Sequence, residues 1–352
     1  MVFSGESFMR LLLRLLGLLL VLAVLLPGLA FVLPDRAHVE RSITIARPQS
    51  QIHLLLTNPR RFNDWSPWFA LDPAASYTYS GADSGVGAKL AWSGSTAEVG
   101  SGSQTIVAVK PDESVSMAVD FGARGSANMR FDLSRQSDET RVTWSLDSEF
   151  PLRLDSHFFG DAAGRYAGVF LDRLVGGDLE RGLVNLQQLA NTFPPVDIAG
   201  IEPQLVELPA RRVIYIALAS EADEAANLRH WNAARQELDN FVAQNHLTVE
   251  GRLLQLARPD AVDDADLALP AHYDVMPDDT DVRGRELPAT RAAQLEHSGS
   301  LAERRKLVDK LRTWMLVKGL HNGEWLVEEY VDGDLLQGAT RISIAVQSPA
   351  TN

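Results

Sequence analysis

Two groups of residues in this chain have side chains suited to holding a small molecule. The first is aromatic: Trp65, Trp68 and Phe69 fall together in "NDWSPWF", and Trp92 and Trp144 lie in alternating segments further on. Apolar aromatic walls with a few placed polar groups are the usual material of small-molecule pockets, although core packing accounts for any single tryptophan as well. The turn-forming residues around Trp65 and Trp68 suit a lid over a cavity mouth, or a lip against a membrane. The second group lies in the C-terminal half: Tyr215, Trp231, Tyr273, His297, Trp325, Glu328, Tyr330 and Arg341. Alternation in "EWLVEEYV" puts Trp325, Val327, Glu329 and Val331 on one face and Glu328 and Tyr330 on the other. An exposed polar face explains that pair, and carboxylate–tyrosine acid–base chemistry is the functional alternative.

None of these residues completes a catalytic signature, so no residue is assigned a catalytic role. The eight histidines include no H-E-x-x-H and no close pair, and there is no cysteine, so neither a metal nor a cofactor is expected. A G-x-S-x-G elbow and a P-loop are also missing. The acidic stretches "DAVDDADLALP" and "DDTD" lack regular oxygen-ligand spacing and read as solvated loops. A net charge of −13 argues against a nucleic-acid partner. At 352 residues, 45% hydrophobic and 22% charged, the chain can bury more than one core.

The elements that must position these residues begin with an apolar run. Leu15 to Leu33 carries no charge and follows Arg10 and Arg14. That length crosses a hydrocarbon core of about 30 Å, and the basic side belongs in the cytoplasm. A single-pass anchor in the inner membrane, with the remainder periplasmic or otherwise extracytoplasmic, is the favoured expectation, and a cleaved signal peptide is the alternative. Next come a strand at "HVERSITIAR", a short helix after Pro48, and six alternating runs between Ser76 and Phe150 that read as an antiparallel meander. A long amphipathic helix is predicted from Ala162 to Asn191, with Val169, Phe170, Leu174, Leu179, Leu183, Leu186 and Leu189 on its apolar face. Its several glycines suit close packing on a curved sheet, or a local kink. "NTFPPVDIAGIEP" then reads as a linker.

This order, together with "FNDWSPWF", "GVGAKLAWSG", "ETRVTWSL" and "LERGLVNLQQLAN", resembles the SRPBCC superfamily, the START-like polyketide cyclase/dehydrase helix-grip fold. The resemblance implies a cavity between sheet and long helix for an apolar ligand.

The C-terminal half repeats itself. Glu-Leu-Pro-Ala occurs at Glu207 and at Glu286, and a strand, a helix and two strands follow each copy. The pattern, especially "ELPATRAAQLEHSGSLAERRKLVDKLRTWMLVKGL" with "EWLVEEY", resembles the GyrI-like effector-binding domain. That resemblance implies two pseudo-symmetric halves with a cleft for small organic, often cationic or aromatic, molecules. Where the family places a glutamate after the threonine of the last strand, this chain has Arg341. A guanidinium there suits an anion, or it points to solvent or pairs with a neighbour such as Glu328 or Glu329. The expected organisation is an α+β protein: anchor 1–36, START-like domain 37–191, linker 192–203 and effector-binding domain 204–348. The expected function is binding of a small hydrophobic or amphipathic molecule at a membrane reached through residues 15–33, with any protein partner unspecified. An enzyme using one of the cavities, or an envelope interaction module, are the other readings.

Overall fold

The computed structural model describes residues 5–96, 99–122, 125–149, 158–218, 224–274, 281–331 and 338–347. The chain is α+β and divides into two compact units, Met1–Pro195 and Val196–Asn352.

The first unit opens with helix α1 (Gly5–Ala30), a 26-residue element whose stretch Leu12–Ala30 is long and apolar enough to cross a membrane. The helix therefore stops at Ala30, three residues short of the predicted apolar run. Strand β1 (Arg36–Ile45) and helix α2 (Gln49–Thr57) follow, then two short 3-10 turns at Pro59–Asp64 and Phe69–Leu71. Strands β2 (Ser76–Ser80), β3 (Lys89–Ser93), β4 (Ser101–Lys110), β5 (Ser114–Asp120), β6 (Ser126–Gln136) and β7 (Glu139–Glu149) match the six predicted runs. The sheet order is β1-β7-β6-β5-β4-β3-β2, antiparallel throughout, so the meander is closed at one edge by the first strand.

The predicted single helix is two: α3 (Phe158–Val169) and α4 (Leu171–Ala190), broken at Phe170, which leaves the helical region at φ −100° and ψ 4°. Only the later part of the expected stripe faces the sheet. Leu179, Leu183 and Leu186 are buried, whereas Val169, Phe170 and Leu174 are exposed. Glycine allows the close approach. A Cβ on Gly182 would lie 2.6 Å from the Trp144 ring and 3.0 Å from Pro67, and one on Gly176 would meet the Arg41 guanidinium. Gly182→Leu is therefore expected to destabilise the unit by about 1–3 kcal/mol through overpacking, despite the gain of about 1 kcal/mol in helix propensity. Urea denaturation of the variant checks this.

The second unit comprises β8 (Gln204–Leu208), β9 (Arg211–Ala217), α5 (Glu224–Gln244), β10 (Thr248–Val249), β11 (Leu254–Arg258), β12 (Ala261–His272), β13 (Arg283–Leu287), β14 (Thr290–Ser298), α6 (Leu301–Lys318), β15 (Asn322–Tyr330) and β16 (Ala339–Val346). Helix α6 is well delimited by its sequence: Ser300 and Glu303 form a capping box, and Gly319 ends it in the left-handed region at φ 80°. The strands run β13-β9-β12-β11-β15-β16-β14-β8, with β10 beside β12.

Two expectations need correction. Each half has an additional leading strand, β8 or β13, before the proline. The acidic stretch "DAVDDADLALP", read as a solvated loop, forms most of β12. Its apolar residues Ala265, Leu267 and Leu269 alternate with Asp266 and Ala268, so they bury one side while Asp266 finds a partner on the other. Of "DDTD", residues 278–280 lie outside the described residues. The duplication itself is visible in the pairing. Leu208 pairs with Thr290 and Arg211 with Leu287, a displacement of 79 positions (287 minus 208; 290 minus 211) in both cases. The halves thus exchange their leading strands.

Candidate functional site

A cavity of about 300 Å³ opens between the sheet and α4 in the first unit. Apolar side chains from successive strands form its floor, including Leu90, Val119, Met129 and Leu146. Alternation along β3, β5, β6 and β7 sends these residues to the concave side. Val175 and Asp178 of α4, with Phe62, Trp68 and Leu71 from the 3-10 region, close the opposite wall. Polar groups are few: Asn63, Ser66, Tyr77, Gln104 and Asp178. Gln104 is itself buried. Asp178 accepts a hydrogen bond of 3.1 Å from the Trp68 indole and pairs with Arg181. The carboxylate therefore ties the turn carrying Trp68 to α4. Burial holds the Tyr77 hydroxyl above the ordinary tyrosine range, so it stays a neutral hydrogen-bonding group.

Of the aromatic candidates in this unit, Trp68 and Trp92 line the cavity. Trp65 and Trp144 are core residues instead: each is at most 1% exposed, and both pack against Phe131. Trp144 shares the concave face with Leu146 but lies under α4 against Gly182, with its ring edge-on to Trp68. Phe69 is partly exposed and meets Tyr77 at 5.8 Å.

The cavity thus lies between a seven-stranded antiparallel sheet and the long helix α4. Residues 36–191 match the polyketide cyclase / dehydrase and lipid transport family model. No curated protein matches the chain. Among solved structures, a chain of the EcmrR–DNA complex is 16% identical, over 56% of this chain and 75% of that one, with a TM-score of 0.36. Protein CV1439 from Chromobacterium violaceum is 15% identical, over 45% of this chain and 98% of that one, at 0.29. The EcmrR C-terminal domain is 16% identical, over 42% of this chain and 98% of that one, at 0.33. Such scores add no argument about function. The polyketide cyclase-like cavity is therefore read from its own residues.

The second unit distributes its candidates over both sides of its sheet. Beneath the helices, Glu328 and Tyr330 are buried rather than exposed as predicted, because α6 brings down a fully buried Arg304. Arg304 Nη1 lies 3.0 Å from Tyr330 Oη and 3.4 Å from Glu328 Oε2, and Tyr330 Oη donates to Gln255 Oε1 at 2.8 Å. Gln255 and Glu328 pair directly where β11 meets β15, the junction between the two halves. Trp231 packs edge-on to Tyr330. Tyr273 is partly buried against the same core, and His297 lies on β14 with Nε2 enclosed.

Sequence reasoning missed Arg304. Its signal was spacing: Arg304, Val308, Leu311 and Met315 form one helical stripe, so the arginine belonged to the buried face.

Burial holds the Glu328 carboxyl above the usual carboxylate range, with the Arg304 guanidinium opposing the rise. The native state then binds this proton more tightly than the unfolded chain does. The group's contribution to stability is fully present below its unfolded pKa of about 4.3 and is lost as pH rises through the folded value. Glu328→Gln removes that titration. Wild-type stability relative to the variant is expected to fall as pH rises from the acidic range toward neutrality, as read by urea denaturation across a pH series. A difference independent of pH contradicts the assignment.

On the side of the sheet away from the helices, Tyr215 and Trp325 hold the Arg285 guanidinium between them, 4.2 and 4.7 Å from the two ring centroids. Asp266 neutralises it at 2.9 Å. Both copies of the repeated tetrapeptide meet nearby: Leu208, Pro209, Leu287 and Pro288 border, with Trp325, a space of only about 20 Å³. Arg341 pairs with Glu296 at 2.9 Å and Glu329 at 3.2 Å. Its charge is thus already matched by two carboxylates, Glu329, which the pairing alternative named, and Glu296. Among the described residues, no group of three or more His, Cys, Asp or Glu is arranged to hold a metal ion.

Proposed function

We propose that this protein is a membrane-anchored binding protein for a small apolar or amphipathic ligand, held in the cavity of the first unit. The observation that carries this reading is the composition of that cavity. About 300 Å³ of mostly apolar space, with a few polar groups in its lining, falls at the lower end of ligand pockets. Each methylene moved from water into it contributes about 0.8 kcal/mol. Gln104, Asn63 and Tyr77 would orient a polar end. The lipid-transport description of the matching family model supports the same ligand class. Binding is favoured over turnover because Asp178, the acidic side chain of the lining, is already engaged by Trp68 and Arg181.

Anchoring is supported by packing. Helix α1 contacts α3, with Tyr166 Oη donating to Leu26 O at 2.8 Å, and Arg165 Nη1 donates to Leu33 O, just beyond α1, at 3.0 Å. A segment integrated in this way suits a retained anchor better than a removed signal. The basic residues before it would leave the two units on the extracytoplasmic side.

The second unit is proposed as a GyrI-like sensor or regulatory module. Its reciprocal exchange of leading strands supports the resemblance. Arg285 filling the space between Tyr215 and Trp325 argues that any effector must displace or avoid that side chain.

Titrating the detergent-solubilised full chain with a fluorescent fatty acid tests the cavity. Saturable binding with energy transfer from tryptophan is expected, since Trp68 and Trp92 line the site. Linear, unsaturable uptake would overturn the reading.

A further inference from the structure

The exposed part of the helical stripe begins at the end of α3, the helix that packs against the apolar anchor. Val169, Phe170 and Leu174 are 55%, 52% and 64% exposed, at the break between α3 and the first turn of α4. Tyr166, which hydrogen-bonds to Leu26 inside the apolar stretch, precedes Val169 by three residues. One helical turn, about 5.4 Å, therefore separates a contact at membrane depth from the exposed patch. The patch adjoins the cavity lining in sequence. Val175 lines the cavity and directly follows Leu174. Leu71, partly exposed, lines the same wall of the cavity, with Phe69 beside it. The Trp68–Asp178 bond ties this turn to α4. Arg165 marks the polar boundary: its guanidinium lies 5.2 Å from the Phe31 ring and donates to Leu33 O, as an arginine does when it reaches from apolar surroundings toward headgroups.

Large apolar side chains exposed together beside a membrane-length helix need an apolar partner. The lipid that must surround α1 is the partner placed there by the chain itself. We propose that the α3–α4 junction and the Phe69–Leu71 turn sit in the acyl layer next to α1, so that the cavity opens onto the bilayer and takes its ligand laterally from lipid. This rests on the binding and anchoring reading above and adds the route by which the ligand enters. Docking costs little, because α1 already holds the unit at the surface.

The chain contains no cysteine, so single cysteines can be placed and labelled without background. The full chain carries an environment-sensitive fluorophore at Phe170→Cys or Leu174→Cys, and at Glu113→Cys as reference. Glu113 adjoins Asp112, whose carbonyl bonds Gln49 just beyond the end of β1 remote from α1. In vesicles of phosphatidylcholine and phosphatidylglycerol containing doxyl-labelled phosphatidylcholine, quenching at 170 and 174 is expected to exceed that at 113 several-fold. Equal quenching at all three positions overturns the proposal. So does energy transfer between labelled copies that rises with protein density, which would make the patch an interface between copies. A second readout uses Phe170→Asp with Leu174→Asp. Loading of a fluorescent fatty acid from vesicles should slow several-fold, while its affinity when added from solution stays unchanged; unchanged loading also counts against the route. Because depth quenching needs no ligand, an empty cavity and a patch outside the bilayer give different results.

Discussion

Replacing Arg304 with methionine is expected to destabilise the second unit by about 3–5 kcal/mol, the cost of leaving a buried charge without its partner. Arg304 is fully buried, and Glu328 and Tyr330 both lie against its Nη1. Methionine preserves much of the side-chain volume, so cavity formation is a minor part of the loss. What remains is a carboxylate enclosed at the junction of β11 and β15, which either stays ionised at high cost or takes up a proton. The second outcome gives the prediction its pH signature. Glu328 already sits above the usual carboxylate range because of burial, and removing the opposing guanidinium raises it further. The loss should therefore shrink as pH falls and Glu328 is protonated. The double replacement Arg304→Met with Glu328→Gln should recover a large part of it. Urea denaturation of the three variants across pH provides the check, and a pH-independent loss that Glu328→Gln does not relieve would contradict the assignment.

Replacing Leu146 with tryptophan is expected to weaken lipophile binding about 100-fold, or about 2.7 kcal/mol. Leu146 is buried and forms part of the cavity floor opposite Trp68 and α4. The additional ring has nowhere to go except the open volume, because Met129 pairs with it from β6 and Val39 from β1. Filling existing space should cost the fold little, in contrast to Gly182→Leu, where no space exists. Affinity and stability are thus expected to separate: Leu146→Trp loses ligand and keeps its unfolding midpoint, whereas Gly182→Leu loses stability.

The sequence made some of this readable and hid the rest for identifiable reasons. Strands β2 to β7 announced themselves because each alternates cleanly and is bounded by turn residues. The two-half organisation of the second unit was readable from the repeated tetrapeptide, but the leading strands were not. Their polar character is set by edge pairing with the opposite half, a long-range fact. Strand β12 was obscured by its aspartates, since Asp266 is tolerated only because Arg285 reaches it from β13. The apolar stripe on the long helix combined two surfaces: Leu179, Leu183 and Leu186 pack on the sheet, while Val169, Phe170 and Leu174 do not. Periodicity cannot distinguish an apolar face packed against the protein from one left exposed. At the cavity, the tryptophans stood out by type, but only tertiary packing separates Trp68 and Trp92 from Trp65 and Trp144. Asp178 and Gln104 passed unnoticed because an isolated polar residue in a helix or strand ordinarily faces water.

Native mass spectrometry of the full chain, released from micelles after exposure to a lipid extract, tests the ligand-binding reading most directly. The expected result is a noncovalent lipophile retained at one copy per chain and lost in Leu146→Trp. An empty mass for the wild-type chain under every condition, or equal retention by the variant, would contradict it.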